Sequence, residues 1–580
     1  MQHNKVTKNN SELEHIISNS DKLTSSLTDV MDKFQVKRNL QIFDFLKSKG
    51  LAVSSLLSIL LILPFYGYTN ICQLMKYGIK KHDIEGKKTT FYDIKNNEHI
   101  DWRKLLTLHA KRFIYLINNN INLATTKPTT IIFDDTLLEK TGKKIEKVGY
   151  VNDHVTGRFV LGYKLLVCGF WDGESFIPID FTLHREKGAK QEKLINEHHK
   201  TSKILEKQRI EMATLETEIT KYDAKVKIGE RKCTDKPNKI NQLNLERLRD
   251  KLTGKQKQKE DLEKEIAKSR IQKNEAYKNL KRYYSSDKLY GLTSKERDEQ
   301  FKKAVSTRSH GFTRRKETNK SKIECMLAML CRVVKAGIIP NYVLVDSWFF
   351  CYELLDKLHV LKKGKIKLVS MIKINNQKFT ICRSNKELPV KAILKNKESK
   401  AQRCKKFKSQ YIRIASFYKD IRVNLFFVKM GRSSKWHLLA TTDLDLSFVK
   451  LMEIYQIRWS IEVFFKESKQ YLGLSDCSSN TFDAQIADIT ISMLQSIMLS
   501  YFKRINYQQN IGGLFQAIRD EIVELDLVSR LLLLFIELIK IMCESNGIDF
   551  IDFQSDLMKN EKIQILFQKL LPDKTAQKAA

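Results

Sequence analysis

The stretch Tyr455–Lys469, which reads YQIRWSIEVFFKESK, constrains this chain more than any other part of its sequence. Its polar residues Tyr455, Arg458, Glu462 and Lys469 stand at offsets of 0, 3, 7 and 14. At about 100° per residue in an α-helix, these offsets place all four side chains on one narrow stripe. The apolar neighbours either border the stripe (Trp459, Val463, Phe465) or form a broad core face (Ile454, Ile457, Ile461, Phe464).

Two interpretations of this stripe are open. Charged residues three or four positions apart are common on a solvated helix face. A carboxylate between two cations, edged by large apolar groups, is instead suited to holding a metal ion against a phosphate. The apolar borders favour this second interpretation.

The pattern Y-x2-R-x3-E-x6-K resembles the signature of DDE-type insertion-sequence transposases of the insertion-sequence-four group, and all four positions match without a gap. The resemblance implies an α/β fold with an RNase H-like core, in which Glu462 is joined by two upstream aspartates at strand ends. It also implies two divalent metal ions, Mg²⁺ or alternatively Mn²⁺, because the ligands are all hard oxygens. Tyr455, Arg458 and Lys469 would then contact the DNA backbone.

The first aspartate follows the apolar run Pro128–Phe133, which is predicted to be a strand that ends in Asp134-Asp135-Thr136. Because side chains alternate along a strand, only Asp134 shares the face of Thr136. The family pattern at this position resembles Asp-x-Thr or Asp-x-Ser, so Asp134 is the expected ligand and Asp135 is the fallback. The alternative is an aspartate that only starts a turn.

The second aspartate, Asp346, follows the apolar strand predicted over Ile338–Val345. A helix is predicted over Phe349–Leu361 and a further strand over Lys365–Ile374. This order matches the second aspartate of the resembled family. Asp134, Asp346 and Glu462 are therefore the expected catalytic and metal-binding residues.

An antiparallel hairpin is predicted between the two aspartates. Its strands are Arg158–Cys168 and Phe170–Leu183, joined near Trp171–Glu174. Asp-Gly between apolar runs favours such a turn.

A basic segment follows this hairpin. The long, charged stretches Gly188–Ile228 and Ile240–Tyr284, broken at Cys233–Asn238, predict an antiparallel helical hairpin. The segment 187–320 holds 37 Lys and Arg against 21 Asp and Glu. Two interpretations are open. The segment either has a function, as a clamp on the DNA backbone or a dimer arm, or it is a solvated spacer.

A β-rich insertion is expected between the second aspartate and Glu462, because the resemblance implies one there. The predicted strands are Phe379–Cys382, Gln410–Phe417, Ile421–Met430 and Trp436–Thr441. Trp436 occupies the place where hairpin-forming members of the family carry a tryptophan that stacks on a flipped base. A buried core tryptophan is the equal alternative.

Composition adds three constraints. The formal net charge of +36 favours a polyanionic partner, nucleic acid before membrane, although a Lys-rich proteome would raise the charge as well. Ten Cys without a C-x-x-C pair favour neither a zinc ribbon nor a disulfide framework. The apolar run Leu51–Tyr66 is shorter than the ~20 residues that span a bilayer and contains Pro64, so a buried helix is expected.

The whole chain is thus predicted to divide into seven parts. Helices are predicted in the N-terminal part at Ser11–Ser20, Leu23–Lys33, Leu40–Lys47, Val53–Leu63 and Trp102–Asn118, in the last portion of the core at Phe482–Phe502, and in the C-terminal region at Ile518–Met542. The parts are a helical N-terminal domain (1–125), three portions of the core (126–186, 321–374, 443–508), the helical insertion (187–320), the β-rich insertion (375–442) and a C-terminal helical region (509–580). The resemblance implies that the N-terminal domain binds the DNA at the end of the element; a plain helical bundle with a solvated basic surface is the alternative.

The function implied by the resemblance is a DDE transposase that cleaves DNA and transfers strands of an insertion sequence by cut-and-paste. Its expected partners are double-stranded transposon ends and target DNA, with a homodimer in the DNA complex and no membrane. The expected location is the bacterial cytoplasm, on the nucleoid during the reaction. The alternative is a nuclease-only or catalytically inactive DNA-binding derivative of a transposase.

Overall fold

The structure is a computed structural model that describes residues 26–505 except 69, 79–86, 143, 186–188, 284–304 and 432, together with 513–515 and Cys543. The predicted helices Ser11–Ser20 and Ile518–Met542 lie outside these residues, as does most of the C-terminal region 509–580.

The described helices fall into an N-terminal group, a long pair and a set that follows the strands. They are α1 Ser26–Lys33, α2 Val36–Gln41, α3 Val53–Ile62, α4 Ile71–Gln73, α5 Lys88–Lys95, α6 Trp102–Asn118, α7 Ala189–Asp235, α8 Lys239–Tyr283, α9 His310–Glu317, α10 Lys322–Lys335, α11 Tyr352–Val360, α12 Val390–Lys397, α13 Phe448–Gln456, α14 Trp459–Tyr471 and α15 Phe482–Ile505. Short 3₁₀ turns lie at Asp44–Leu46, Leu361–Gly364 and Glu398–Lys400, and a π-helical turn at Leu74–Gly78.

The strands within the described residues form one mixed sheet. They are β1 Thr130–Glu139, β2 Gly149–Asp153, β3 Arg158–Trp171, β4 Phe176–His184, β5 Tyr342–Val345, β6 Lys367–Ile372, β7 Lys378–Ile381, β8 Lys386–Pro389, β9 Gln402–Cys404, β10 Ser409–Tyr418, β11 Ile421–Met430 and β12 Trp436–Thr441. Their order is β2-β3-β1-β5-β6-β12-β11-β10-β7-β8, with β4 paired to β3 and β9 to β10. β5 pairs in parallel with β1 and with β6, and the other pairs are antiparallel. This mixed α/β arrangement is compatible with an RNase H-like transposase.

The first strand is longer than its sequence suggests. The prediction that it ends in Asp134-Asp135-Thr136 is wrong, because β1 continues to Glu139. β3 supplies the reason, since its residues Gly162–Trp171 pair with β1 along the whole of Thr130–Glu139. The parallel pairing with β5 covers only Thr130–Ile132. Asp134 therefore lies within a strand, but beyond the point where one of its two neighbours ends.

The strands expected in a β-rich insertion extend the same sheet. β12 pairs with β6 over Leu438–Thr441, and β11 and β10 follow outward. Sequence reasoning missed β2, β8, β9 and α12. These strands are only three to five residues long, too short for an alternating pattern to stand out.

The N-terminal helices pack into the same hydrophobic cluster as the sheet. α6 lies against β4 and α15, and its buried residues include Leu105, Leu106 and Phe113. The buried helix expected within Leu51–Tyr66 is confirmed as α3. In the part of the chain that the structure covers, no helix has the length and apolarity needed to span a bilayer.

α7 and α8 form a long antiparallel pair. Their contact line is apolar, with Leu205 and Leu215 on one helix and Leu262 and Ile266 on the other. Ion pairs Glu216–Lys259 (2.9 Å), Glu218–Lys255 (2.9 Å) and Glu230–Arg249 (2.7 Å) fix the register. At the base of the pair, Ile195 and Leu280 pack on Tyr150 of β2, so the pair is rooted at the β2 and β3 end of the sheet.

A buried group of charges ties several helices to β4. Asp180 of β4 accepts hydrogen bonds from Arg103 of α6 (2.8 Å) and Arg332 of α10 (2.9 Å). Arg103 also donates to Glu317 of α9 (2.9 Å). Burial raises the pKa of Asp180, but the arginines outweigh it and lower that pKa to about 2. These contacts join the N-terminal helices to the sheet that carries the candidate site.

Candidate active site

Two of the predicted carboxylates lie at corresponding positions of neighbouring parallel strands. Ile132 of β1 is paired with Leu344 of β5, so Asp134 and Asp346 each stand two residues beyond this pair. The two strands are about 4.8 Å apart, and Asp346 lies close enough to Asp134 for its charge to raise the pKa of the Asp134 carboxyl. Asp346 follows the last residue of β5, and its Oδ1 accepts the N–H groups of Trp348 (2.9 Å) and Phe349 (3.3 Å).

The stripe that carries the third carboxylate is divided between two helices. The prediction of one continuous helix over Tyr455–Lys469 is wrong, because α13 ends at Gln456 and α14 begins at Trp459. The N–H groups of Ile457 and Arg458 bond to carbonyls three residues earlier, which interrupts the α-helical ladder. Tyr455 is therefore in the last turn of α13, and Arg458 is the N-cap of α14.

The borders of the stripe differ in burial. Ile461 and Phe464 are buried, as their place on the core face predicts, and Phe465 on one border of the stripe is buried as well. Trp459 and Val463 on the other border are exposed, 61% and 40%. The exposed side is open to an approaching ligand.

Arg458 joins Asp134 and Glu462. Its Nη1 donates to Asp134 Oδ2 at 2.9 Å, and its Nη2 donates to Glu462 Oε1 at 2.5 Å. The Arg458 and Asp134 side chains are each 16% exposed, and Glu462 is 33% exposed. One guanidinium thus brings together two carboxylates that lie more than 300 residues apart in the chain.

Asp134 lies in a strongly perturbed environment. Burial is the largest influence and raises the pKa of its carboxyl to about 7, with a smaller upward contribution from Asp346. Arg458 and the N–H of Asp135, which donates to Asp134 Oδ1 at 2.8 Å, act in the opposite direction. Carboxyl groups whose pKa is perturbed in this way are common at functional sites.

Asp135 points away from this group. Its Oδ2 lies 2.9 Å from Lys322 Nζ and 3.9 Å from Lys164 Nζ. Alternation along β1 explains the difference, because Asp134 and Asp135 occupy opposite faces of the sheet. The structure places Asp134, and not Asp135, beside Arg458 and Glu462.

Lys469 contacts β1 beyond Asp134, and the ring centroid of Tyr455 lies 5.9 Å from Arg458 Cζ. Lys469 Nζ donates to Thr136 Oγ1 and to the Leu137 carbonyl, both at 2.8 Å, so the α14 helix is anchored to β1. Burial and the neighbouring Lys164 lower the pKa of Lys469. Burial, opposed by Arg458 and supported by Asp346, raises the pKa of Tyr455 to about 12.

Trp436 lies at the start of β12, which is separated from β5 by β6. Its Nε1 donates to Glu398 Oε1 at 3.0 Å, and Lys429 Nζ is 5.8 Å from its ring centroid. Two strand spacings amount to about 10 Å. The indole therefore lies along the same sheet as the carboxylates, but it is not part of their hydrogen-bonded group.

Residues 304–497 match the family model described as Transposase DDE domain. The match supports a DDE transposase. It includes Asp346 and the Tyr455–Lys469 stretch and leaves Asp134 outside its limits. A search of curated proteins found no match. The family suggests a DNA-processing enzyme that binds DNA and generally uses divalent metal ions.

The donor groups at this site decide whether a divalent metal ion could bind there. Within the part of the chain that the structure describes, no three His, Cys, Asp or Glu side chains meet in a way that could hold a metal ion. The guanidinium of Arg458 stands between Asp134 and Glu462 and shows that this place binds positive charge. Carboxylate oxygens are also the ligands that Mg²⁺ prefers. The donor chemistry therefore fits a divalent ion, provided that Arg458 moves.

Sequence reasoning missed two side chains that lie beside Asp135 and Asp346 but outside the group joined by Arg458. Lys322, the first residue of α10, pairs with Asp135 and places its Nζ 4.9 Å from the ring centroid of Trp348. Trp348 itself is 46% exposed, two residues after Asp346. Its closeness to Asp346 in sequence was available as a signal. Nothing in the sequence connects Lys322 to Asp135, because 187 residues separate them.

Proposed function

We propose that this chain is a DDE transposase that performs metal-dependent cleavage and strand transfer of an insertion sequence by a cut-and-paste route. The observation that carries the proposal is the contact of Arg458 with both Asp134 and Glu462, with Asp346 near enough to influence the Asp134 carboxyl. The match of residues 304–497 to a transposase domain supports the same conclusion.

The proposed metal ligands are Asp134, Asp346 and Glu462. Together they would hold two Mg²⁺ or Mn²⁺ ions, which would supply an activated water or 3′-hydroxyl nucleophile and stabilise the leaving oxygen of a phosphodiester. Lys469 holds α14 against β1 through Thr136 and Leu137, so it keeps Glu462 in position opposite Asp134. Arg458 and Tyr455 face the same group and contribute hydrogen bonds to a DNA phosphate, which a guanidinium can bind in a bidentate manner.

The remaining parts of the chain are assigned to DNA. The N-terminal region 1–125 binds the transposon end, and the segment 187–320 contacts the DNA backbone or a second subunit of a homodimer. In support, α8 carries 14 Lys and Arg against seven Asp and Glu, while α7 carries 11 against nine. This excess suits phosphate contacts, which provide affinity without sequence information. The enzyme would act in the bacterial cytoplasm, on the nucleoid.

A strand-transfer assay with a pre-cleaved, labelled transposon end tests the proposal. Purified protein with Mg²⁺ is expected to join the 3′-hydroxyl of this end to a target plasmid. Asp134→Asn, Asp346→Asn and Glu462→Gln should each abolish joining and leave binding to the end largely intact. Asp135→Asn is the matched control, because it changes the same chemistry on the opposite face of β1 and should retain joining.

Three other outcomes distinguish the alternatives. Cleavage of DNA without joining would identify a nuclease-only derivative. Binding without cleavage or joining would identify an inactive derivative. Loss of joining in Asp135→Asn but not in Asp134→Asn, with both proteins folded, would show that the first metal ligand is Asp135.

A further inference from the structure

Arg458 occupies the oxygens that the proposed function assigns to metal ions. Its two Nη atoms contact Asp134 Oδ2 and Glu462 Oε1, at 2.9 and 2.5 Å. Asp134 Oδ1 already accepts the N–H of Asp135. Both oxygens of Asp134 therefore have partners, and one of these partners is a movable side chain.

The other cations near the site are engaged elsewhere. Lys469 donates to Thr136 and Leu137, while Lys322 and Lys164 lie against Asp135 on the opposite face of β1. In the described part of the chain, the ion pairs of Asp134 and Glu462 are made by Arg458. A buried carboxylate without a counter-charge is strongly unfavourable, so Arg458 stabilises these two in the absence of another cation.

We propose that Arg458 and a divalent metal ion compete for Asp134 and Glu462, and that metal binding releases the guanidinium to a DNA phosphate. This inference rests on the proposed function, because it concerns the same carboxylates. A metal ion and a guanidinium that share the same oxygens would repel each other at contact distance. Arg458 stands at the break between α13 and α14, and a guanidinium binds phosphate oxygens in the same two-pronged way as carboxylates.

Competition between Arg458 and a metal ion would lower the metal affinity of the free protein. An arginine that only contacts DNA would have no influence on metal binding by the free protein. If Arg458 instead blocks the ligands, its removal should strengthen that binding. Hydrogen bonds to charged groups are strong enough that the gain should be about tenfold or more.

Isothermal titration of the full-length protein with Mn²⁺ alone, without DNA, measures this effect. Arg458→Gln should bind Mn²⁺ about tenfold more tightly than the unmodified protein. Lys466→Gln is the matched control, since it removes one positive charge from an exposed position of the same helix and should change the affinity less than about twofold. Asp134→Asn should lose this binding, which assigns the heat to the proposed ligands.

Arg458→Lys provides a second variant in case Arg458→Gln does not fold. An ammonium group is a single point charge that lacks the two separate Nη atoms with which Arg458 reaches the two carboxylates, so the metal affinity of Arg458→Lys should lie between those of the unmodified protein and Arg458→Gln. Thermal unfolding of each variant shows whether it is folded. Equal or weaker Mn²⁺ binding by both folded Arg458 variants, beside normal binding by the unmodified protein, would overturn the competition but leave the proposed function standing. Absence of binding in every protein would overturn both.

The release step has its own readout in DNA binding. The affinity for a transposon-end duplex is measured at several salt concentrations, once with Ca²⁺ and once with a chelator. In the unmodified protein, Ca²⁺ should steepen the slope of log affinity against log salt by about 0.9, as expected for one additional phosphate contact. The slope of Arg458→Gln should not change in this way. The same steepening in both proteins would overturn the release of Arg458.

Discussion

Replacement of Asp180 by asparagine should destabilise the junction between the N-terminal helices and the sheet. Asp180 is 2% exposed, and its oxygens lie 2.7 to 2.9 Å from nitrogens of Arg103 and Arg332. An amide of the same shape leaves these buried guanidinium groups without a full counter-charge. Breaking a buried pair in this way typically costs about 3–5 kcal/mol.

The pH dependence of stability gives a second value for the folding free energy that Asp180 contributes. The pKa of Asp180 falls from an ordinary 3.8 to about 2, because its arginines outweigh the effect of burial. This difference corresponds to about 2–3 kcal/mol of folding free energy. A lowered folded-state pKa means that this stability is present above about pH 4 and is lost as the pH falls through about 2.

Urea unfolding followed by circular dichroism and by tryptophan fluorescence measures both effects. Asp180→Asn should have a lower midpoint at pH 7, and the difference from the unmodified protein should shrink below about pH 4. Glu387→Gln removes the surface partner of Lys378, where both side chains are 59% exposed, and should change stability by less than about 1 kcal/mol. An Asp180→Asn protein as stable as the unmodified one at pH 7 would refute this reasoning.

Two further predictions concern DNA. A short Gly-Ser linker can join Met212 to Leu262, which face each other in the register of the two long helices, and this deletion removes 13 Lys and Arg against nine Asp and Glu. The slope of log affinity for DNA against log salt should become shallower by about 0.9 for every phosphate that the shortened protein no longer binds. An unchanged slope, measured by fluorescence anisotropy, would leave the spacer interpretation standing. Trp436→Ala should permit the first nick but reduce a hairpin intermediate, because stacking on an aromatic ring contributes about 1–3 kcal/mol per base. Parallel loss of nicked, hairpin and double-cut products, with a lowered melting temperature, would show instead that Trp436 is a core residue.

The sequence alone determined the features that depend on neighbouring residues. The charged, Leu-spotted stretches with a break at Cys233–Asn238 predict two long helices, and the structure has them as Ala189–Asp235 and Lys239–Tyr283. Apolar runs likewise located β5, β6, β11 and β12 to within a few residues. Alternation along a strand was enough to place Asp134 and Asp135 on opposite faces, because it requires only the local backbone.

Tertiary structure decided everything that depends on a distant partner. β1 continues to Glu139 because β3 pairs with it, and the strands after Lys378 extend the main sheet because β12 pairs with β6. The contact of Arg458 with Asp134 spans 324 residues, and that of Lys322 with Asp135 spans 187. Interstrand hydrogen bonds and ion pairs of this kind form between groups that only the folded chain brings together. The pattern of neighbouring residues in the sequence therefore does not predict them.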